Sequence, residues 1–416
     1  MRPSVCLTMI VKDEAHVIGR CLDALKPFID YALIIDTGST DDTISVIKSI
    51  LPDATIGHSE FVGFSHNRTE LLEEARKAYP EAQYHLMIDA DDTWAPSRSF
   101  EWPELTEDSY LLKHRLGGLE WWRPQVFRAS KPFRYIGAAH ETLHCDEAFT
   151  VDRLGGVRVD CGSDGARRLK EPLKKYERVA GQLQEAHEKN PADTRAVFYL
   201  AQSYRDGLDR EKALKYYELR SLMGGWGEEI WYSLYQIGWM KELLGRSADE
   251  VLAAYEKAYE ARPSRSEPLV AAAVLCRRTR RRAKQLMYAA AAIHIPRPLE
   301  DRLFVEWKTY DWKAWDEFAM ACWHAGRLSD ALWANFKILC QSEDCPEDRI
   351  IANISHCSQP GDDLEDLKAF WRRFRDLPHH ERGEFSLGSI MILCKESRRF
   401  HNDISFAVSE GGGFPK

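Results

Sequence analysis

Hydrophobic residues in the first 165 positions follow two alternating patterns. Four short apolar runs are typical of buried strands, at residues 5–11, 31–35, 54–58 and 84–88. Between them, apolar residues recur every three or four positions, which predicts helices near residues 15–26, 43–51 and 67–78. Strands that alternate with helices in this way predict a mostly parallel sheet with helices on both faces, an α/β fold.

From about residue 166 the spacing becomes helical almost throughout, with self-similarity at a period near 38 residues. The first unit shows the small and large packing positions most clearly, at Leu200, Ala201, Tyr204, Ala213 and Tyr217. Helix–turn–helix units of this kind resemble tetratricopeptide repeats. We therefore expect an α/β domain over residues 1–165, helical repeats over 166–344, and a mixed C-terminal extension over 345–416 with a strand near 387–393.

Composition places the chain among ordinary globular proteins. Of its 416 residues 44% are apolar and 29% are charged, which excludes disordered and fibrous classes. The first 165 residues carry 17 basic and 27 acidic side chains, and the remainder carries 40 and 38. A uniformly basic nucleic-acid binder is excluded by this balance. An acidic first domain would bind a polyanionic ligand only with a bridging cation, which suggests metal-dependent chemistry.

The cysteines and the apolar runs indicate a cytoplasmic protein without a membrane span. The N-terminal apolar run is interrupted by Lys12-Asp13-Glu14 and has no signal-peptide cleavage pattern. No segment approaches the roughly 18 apolar residues of a transmembrane helix. Ten cysteines occur without a Cys-x-x-Cys pair, and neither Cys340 with Cys345 nor His356 with Cys357 fits a zinc motif. Reduced, buried thiols are expected.

Acidic turns follow two of the predicted strands. One strand ends in Asp36, and another ends in Asp89-Ala90-Asp91-Asp92. In open α/β sheets the ligand binds at the carboxyl ends of the strands, so both turns lie where a site is expected. Hard cations such as Mg²⁺ and Mn²⁺ take oxygen ligands and bridge to phosphate oxygens. The Asp-x-Asp turn therefore predicts a metal-linked diphosphate site.

Several segments occur in an order that resembles a known family. Residues 8–14, 34–43 and the acidic turn together resemble the nucleotide-sugar domain of family 2 glycosyltransferases with the GT-A fold. The run 133–141, Phe-Arg-Tyr-Ile-Gly-Ala-Ala-His-Glu, resembles the aromatic–Gly–x–x–His–Glu segment of one branch of that family. Residues 261–269 and the helical repeats are similar to a sub-branch that fuses this domain to tetratricopeptide repeats. The S-linked peptide glycosyltransferases share this two-part build.

The resemblance implies roles for five residues before the His-Glu pair. Glu14 and Asp36 would line the nucleobase and ribose pocket, although Thr37 stands where the family often has a second acidic residue. Arg68 would lie near the nucleotide, with Asn67 and Arg68 in the reverse of the family's usual order. Asp89 would contact ribose or metal, and Asp91 would hold the metal. Each has a structural alternative as a helix start, a turn cap or a surface charge.

His140 and Glu141 are alternative candidates for one catalytic role, that of the base. An inverting transfer needs a base that takes the proton of the acceptor and a metal that stabilises the leaving diphosphate. By the resemblance we expect Glu141 to be the base and His140 to contact the metal or the diphosphate, with the reverse assignment left open. A surface or core His-Glu pair is the structural alternative.

The function that this implies is a metal-dependent inverting glycosyltransferase. It would use Mn²⁺ or Mg²⁺ and a nucleotide-sugar donor such as a UDP-sugar. The repeats would present the acceptor, mediate a homodimer, or both. The acceptor remains open among a peptide or protein, a glycan and a modified nucleic acid.

Other interpretations remain open. The basic run 277–284 could bind a polyanionic acceptor such as DNA or RNA, or form the solvated face of a repeat. Trp121 and Trp122 could line the acceptor site or belong to the core. The chain could also be an inactive repeat scaffold. A nucleotidyltransferase would need a Gly-rich loop after the first strand, and Lys12-Asp13-Glu14 stands there instead.

Overall fold

The computed structural model describes residues 2–137, 139–165, 174–342 and 344–357. It divides into two compact units: the first runs to Leu244 and includes Glu300–Val305, and the second contains Gly245–Leu299 and the described residues from Glu306 onward. The predicted boundary near 165 borders residues 166–173, which lie outside the described residues. The predicted strand at 387–393 also lies outside them. The three-part domain division therefore stays a prediction.

An eight-stranded mixed sheet forms the body of the first unit. Its strands are β1 (Val5–Val11), β2 (Tyr31–Asp36), β3 (Thr55–His58), β4 (Tyr84–Met87), β5 (Thr93–Pro96), β6 (Ser109–Leu116), β7 (Leu119–Arg128) and β10 (Val151–Asp160). They lie in the order β3-β2-β1-β4-β7-β6-β10-β5. The β3, β2, β1 and β4 strands are parallel neighbours, β10 is parallel to β6, and the remaining pairings are antiparallel.

Helices cover both faces of this sheet, as the alternating pattern predicted. They are α1 (Ile18–Leu25), α2 (Thr43–Ile50) and α3 (Phe64–Ala78). Alternate β1 residues serve opposite faces: Val5 and Leu7 pack in the core with α1, whereas Cys6 packs with Leu71 and Leu72 of α3. Burial on both faces explains why the parallel strands are continuously apolar in sequence.

A two-stranded hairpin, β8 (Arg134–Ile136) and β9 (Thr142–His144), carries the His-Glu pair in its loop. Helix α3 holds this hairpin in place. The Tyr135 amide donates to Thr69 Oγ1 at 2.9 Å, and the Ser65 hydroxyl donates to the Gly137 carbonyl. Gly137 has φ of 116°, a conformation that favours glycine, and a Cβ there would meet the Glu141 backbone at 3.4 Å. The loop geometry therefore depends on this glycine.

The remainder of each unit consists mainly of helices, most of them joined by short turns; residues 293–313 form a longer connection between the helices that end at Ala292 and begin at Ala314. The first unit has α4 (Lys174–Lys189), α5 (Thr194–Asp206), α6 (Arg210–Leu222) and α7 (Gly227–Leu243). The second has α8 (Ala248–Ala261), α9 (Glu267–Arg278), α10 (Arg282–Ala292), α11 (Ala314–His324), α12 (Leu328–Gln341) and α13 (Glu347–Cys357). This confirms the predicted fold class, an α/β domain followed by tetratricopeptide-like helical repeats. No described helix is long and apolar enough to cross a bilayer.

The residues at the small packing positions of the repeats are buried, as their pattern predicted. Ala201 of α5 and Ala213 of α6 are fully buried, and Tyr217 fills the space beside them. Short polar residues mark the starts of these helices: Asp193 accepts from the amide of Ala196, and Ser247 forms a capping box with Glu250. Local sequence signals and buried packing thus agree in the repeats.

His85 makes the stability of the first unit sensitive to acid. It is fully buried on β4, and neither ring nitrogen has a hydrogen-bond partner among the described residues. Burial, with a smaller effect of Arg76, lowers the pKa of His85 to about 4. Unfolded His titrates near 6.5, so the unfolded chain takes up this proton first as the pH falls. We expect His85 to cost roughly 2 kcal/mol of unfolding free energy between pH 7 and pH 5.

The measurement is urea unfolding of the wild type and of His85→Leu at both pH values. The Leu variant removes the proton uptake and two unpaired buried nitrogens, so it should lose less stability on acidification than the wild type. His144→Leu is the control, because His144 is partly exposed and paired with Asp146. Equal acid sensitivity of His85→Leu and the wild type would contradict this account.

Candidate functional site

The carboxyl ends of β1, β2 and β4 meet at one edge of the sheet. Val11 and Asp36 are register partners at the ends of β1 and β2. The Asp36 carboxylate is buried and accepts from the Ser39 amide at 3.1 Å and the Ser39 hydroxyl at 2.5 Å. His58 Nδ1 lies 3.5 Å from the same carboxylate. Asp36 thus caps the turn that follows its strand, with its carboxylate facing the edge where a ligand is expected.

Glu14 lies beside this turn at the start of α1. Its amide donates to Thr43 Oγ1 at 2.8 Å, and its carbonyl accepts from the Ile18 amide at 2.9 Å. These backbone bonds fix the loop between β1 and α1 against the start of α2. Asp41, two residues before α2, accepts from the Thr43 amide at 3.0 Å and from the Ala15 amide at 3.1 Å. Both loops are therefore held together by local polar contacts.

A cluster of two arginines and two carboxylates lies at the end of β4. Arg68 of α3 is almost fully buried, and it donates to Asp89 Oδ1 at 2.5 Å and forms an ion pair with Glu141. Arg123 of β7 lies 3.6 Å from Asp89 Oδ2 and 3.8 Å from Glu141 Oε1. Three segments distant in sequence, the acidic turn, α3 and the His-Glu loop, therefore meet here. We call these four residues the charge cluster.

The arginines keep Asp89 ionised. Burial alone would raise its pKa, but Arg68 and Arg123 outweigh that effect and lower the pKa of Asp89 to about 2. Arg68 is further fixed by the rings of Phe64 and Tyr135, at 5.1 and 5.6 Å from its Cζ. Asp89 is thus ionised at neutral pH.

Asn67, the neighbour of Arg68, has a structural position. It is fully buried, and its side-chain oxygen accepts from the amides of Val62 and Gly63 at 3.0 Å each. Its side-chain nitrogen donates to the Glu60 carbonyl at 2.8 Å. Asn67 therefore holds the loop that leads into α3 against the first turn of the helix. This contact helps to fix the position of the neighbouring Arg68.

His140 lies in the hairpin loop against a helix of the repeats within the same unit. Its ring is stacked on Tyr199 of α5, with centroids 4.0 Å apart and planes 8° from parallel. Arg195 donates to the His140 carbonyl at 3.1 Å and covers the Tyr199 ring at 4.8 Å. Loss of water around the ring and the nearby Arg195 and Arg123 cations lower the pKa of His140 to about 3. The ring is therefore neutral at pH 7, although the residue remains exposed.

The backbone of His140 adopts a left-handed conformation with φ of 52°, which is uncommon for a residue with a side chain. Such a conformation persists where the surroundings determine it. Arg195 supplies part of this support and is itself 3.8 Å from Glu229, a buried carboxylate that is paired with fully buried Arg220. Arg220, Glu229 and Arg195 thus form successive ionic contacts, and Arg195 in turn contacts the His140 carbonyl.

Asp91 and Asp92 have different surroundings from Asp89. The Asp91 carboxylate lies where a side chain at Gly165 would stand, 2.8 Å from its ideal Cβ, and the Asp91 carbonyl accepts from Arg20 at 2.9 Å. Asp92 is buried and accepts from the Gly162 amide at 3.2 Å. Burial and the carboxylates of Asp89 and Asp91 raise the pKa of Asp92 to about 7. The acidic turn therefore faces two directions, toward the charge cluster and toward the end of β10.

His114 of β6 and Cys161, just after β10, lie beside Asp92. Ligand atoms of these three side chains all lie within 4.8 Å of one another. His114 Nδ1 is 3.3 Å from Cys161 Sγ. Burial lowers the pKa of His114 to about 3 and raises the pKa of the Cys161 thiol. We call these three residues the Asp–His–Cys cluster.

The metal ligands expected from the family resemblance are Asp89, Asp91 and His140. Among the described residues, the Asp–His–Cys cluster is the group of three or more His, Cys, Asp and Glu side chains that converges as metal ligands would. Asp89, Asp91 and His140 do not form such a group, since Asp89 is paired with arginines and His140 stacks on Tyr199. The assignment of Mn²⁺ or Mg²⁺ to Asp89, Asp91 and His140 therefore stays a prediction.

Several residues of the site were not predicted from the sequence. Arg123 directly follows Trp121 and Trp122, and Tyr199 directly precedes Leu200 of the first repeat, but the sequence patterns singled out neither residue. Alternation along β7 was the available signal, because it places Arg123 and Trp121 on one face and Trp122 on the other. Trp121 stacks on His114 with centroids 5.6 Å apart, and Trp122 lies under the cation of Arg153.

The basic run 277–284 is largely paired within the second unit. Arg277 donates to Glu317 at 3.0 Å, Arg281 pairs with Asp249, and Arg282 lies 3.2 Å from His324. Arg278, Arg280 and Lys284 are exposed. Pairing of this kind is typical of the solvated face and turn of a repeat, so the structure adds no support for a polyanion site there.

Comparison with known proteins identifies the type of the first domain. Residues 6–101 match the family model described as Glycosyl transferase family 2. The SPbeta prophage-derived glycosyltransferase SunS of Bacillus subtilis (strain 168) is 30% identical over 94 residues, which are 22% of this chain and 21% of that protein. A TPR repeat-containing protein of Synechococcus elongatus is 29% identical over 148 residues, 33% of this chain and 35% of that protein.

Among solved structures, YrrB, a TPR protein, aligns with 16% identity and a TM-score of 0.32, over 53% of this chain and 99% of its own. The chain thus spans about a fifth of the length of the glycosyltransferase that it matches and about a third of the TPR repeat-containing protein. Together, the family match and the TPR relative confirm the prediction of a family 2 glycosyltransferase segment combined with tetratricopeptide-like repeats.

Proposed function

We propose that this protein transfers a sugar from a nucleotide-sugar donor to an acceptor, with the donor at the carboxyl ends of β1, β2 and β4. The observation that carries the proposal is the charge cluster. Within the cluster, Arg68 contacts both Asp89 of the acidic turn and Glu141 of the His-Glu loop. Residues from three predicted motifs therefore lie next to one another. An inactive scaffold has no need to keep buried ion pairs at the ligand edge of its sheet, because such pairs add little net stability.

The arginines of the cluster supply the positive charge that a leaving diphosphate needs. Guanidinium groups bind phosphate oxygens through two parallel hydrogen bonds. Arg123 is the better candidate, because its separations of 3.6 and 3.8 Å from Asp89 and Glu141 exceed hydrogen-bond distance. It can therefore turn toward a ligand with little loss. Arg68, which is held more tightly, fixes the carboxylates around it.

We assign the role of the base, which accepts the proton of the acceptor, to His140 rather than to Glu141. The Glu141 carboxylate is buried, forms an ion pair with Arg68 and lies 3.8 Å from Arg123, so its oxygens already face cations of the protein. His140 is exposed and neutral, so a ring nitrogen has a lone pair that can take a proton once its pKa is raised. A bound anionic diphosphate would raise the pKa of His140 toward the range in which a general base is effective. Glu141 then acts as a positioning residue for Arg68.

Helix α5 would complete the site by holding His140. We expect Tyr199→Ala to lower kcat by roughly 10- to 100-fold with little change in the donor KM, because the His140 ring loses the surface that orients it. Tyr199→Phe keeps the stacking face and should retain most activity. The measurement is steady-state sugar transfer with donor and acceptor varied separately.

Tyr204→Ala is the matched control for the Tyr199 variant. Tyr204 lies on the same helix and stacks on Tyr216, with centroids 5.5 Å apart. A comparable loss of kcat in Tyr204→Ala would mean that the effect comes from general weakening of α5. A Tyr199→Phe variant as impaired as Tyr199→Ala would also contradict the stacking role.

The proposed activity itself is tested by a screen of nucleotide sugars, beginning with UDP-sugars. Thermal shift and donor hydrolysis are measured for the full chain with and without Mn²⁺. One donor that raises the Tm and is hydrolysed, with both effects lost in Arg123→Met, would support the proposal. No shift and no hydrolysis with any donor would overturn it. Dependence on Mn²⁺ or Mg²⁺, homodimerisation, cytoplasmic location and the identity of the acceptor stay predictions.

A further inference from the structure

The Asp–His–Cys cluster brings together three different kinds of metal ligand. Asp92 comes from the acidic turn, His114 from β6 and Cys161 from the segment after β10, so the three are distant in sequence. Asp92 and His114 are almost fully buried, and Cys161 is half-buried. Buried groups of this polarity need partners, and the three chiefly face one another.

The separations suit a small tetrahedral ion. With bond lengths typical of zinc, a thiolate sulfur and an imidazole nitrogen on one ion lie about 3.5 Å apart. His114 Nδ1 and Cys161 Sγ are 3.3 Å apart, and the Asp92 carboxylate lies within 4.8 Å of both. Small side-chain movements would therefore bring all three into ligand distance, with a fourth position left for water.

Gln125 of β7 supplies an independent observation on the far side of the imidazole. It is almost fully buried, its side-chain nitrogen lies 3.2 Å from His114 Nε2, and its side-chain oxygen has no hydrogen-bond partner among the described residues. A metal-bound histidine typically donates its remaining N–H to an oxygen. A half-turn of the Gln125 amide places Oε1 at that position and gives the oxygen its missing partner.

We infer that Asp92, His114 and Cys161 bind one divalent transition-metal ion, of which Zn²⁺ suits the ligand set best. Thiolate and imidazole ligands select Zn²⁺ over Mg²⁺ and Mn²⁺, which prefer oxygen ligands. The site is distinct from the metal site expected at Asp89, Asp91 and His140. Bound there, the ion would tie the acidic turn to β6 and to the end of β10. This inference does not rest on the proposed sugar transfer.

The test is a titration of the untagged full chain, stripped with a chelator, with Co²⁺ as a coloured substitute for Zn²⁺. We expect one Co²⁺ per chain, visible bands typical of tetrahedral cobalt, and a thiolate-to-cobalt charge-transfer band. One equivalent of Zn²⁺ should remove these bands. Cys161→Ser should abolish the charge-transfer band, and His114→Ala should abolish stoichiometric binding.

Cys276→Ala is the control, since Cys276 is a buried thiol in the second unit that lies outside the cluster. It should leave every band unchanged. Absence of the cobalt bands in the wild-type chain would overturn the inference, and this result does not depend on the folding of any variant. A charge-transfer band that survives in Cys161→Ser would overturn it as well. Neither outcome bears on the donor screen.

Discussion

Arg68→Met should abolish sugar transfer and lower the free energy of unfolding by about 3–5 kcal/mol. The substitution keeps an unbranched apolar stem but removes the guanidinium charge that holds two carboxylates together. Asp89 and Glu141 then face each other with only the longer contacts of Arg123. Uncompensated buried charge is costly, and repulsion would move the acidic turn away from the His-Glu loop. Urea unfolding and donor-binding measurements on the same variant report the two effects.

Arg134→Met serves as the control for loss of an arginine ion pair in the same unit. Arg134 pairs with Asp146 at 2.6 Å, but both side chains are exposed, so the loss should stay under about 1 kcal/mol with activity preserved. An Arg68→Met variant that is as stable as Arg134→Met and still binds donor would show that the charge cluster is neither a structural nor a functional centre.

His140→Ala should lower kcat by about 10²- to 10⁴-fold, the usual contribution of a general base, while donor affinity changes little. The reason is that the ring faces solvent and Tyr199, whereas the contacts expected for the donor come from the sheet edge and from Arg123. Steady-state kinetics together with donor titration by calorimetry separate the chemical step from binding.

His144→Ala and Glu141→Gln decide between the two possible bases. His144 lies in the same hairpin and pairs with exposed Asp146, so its loss should leave kcat near the wild-type value. Glu141→Gln weakens the hold on Arg68 and should affect donor binding and stability. A Glu141→Gln variant with intact donor affinity and a larger loss of kcat than His140→Ala would return the role of the base to Glu141.

The sequence was sufficient to predict the elements of the first domain and the order of its motifs. The apolar run at 5–11 forms β1 with those same limits, because a doubly buried strand must be continuously apolar. Helix α1 begins at Ile18, three residues later than expected, since Glu14 and Val17 form a turn first. The positions of Asp36 and Asp89 at one sheet edge follow from the carboxyl-end rule for parallel sheets.

The partners of those residues could not be predicted. Arg123 reaches the charge cluster because antiparallel β7 pairs beside β4, a topology that no local pattern specifies. Tyr199 reaches His140 because a repeat helix packs on the hairpin loop, which depends on tertiary contacts between residues 59 positions apart in sequence. The Asp–His–Cys cluster has no compact spacing in sequence for the same reason: β6 and β10 become neighbours only in the folded sheet.

The stacking of His140 on Tyr199 has a consequence for the synthesis of the chain. Until α5 has been synthesised, the hairpin loop lacks the helix that supports its left-handed histidine. Domains generally fold in order of emergence. In the nascent chain the donor-binding edge of the sheet would therefore form before His140 is oriented as a base. Sugar transfer would begin only after the first repeat has folded. A truncation after residue 165 would fix the protein in that unfinished stage.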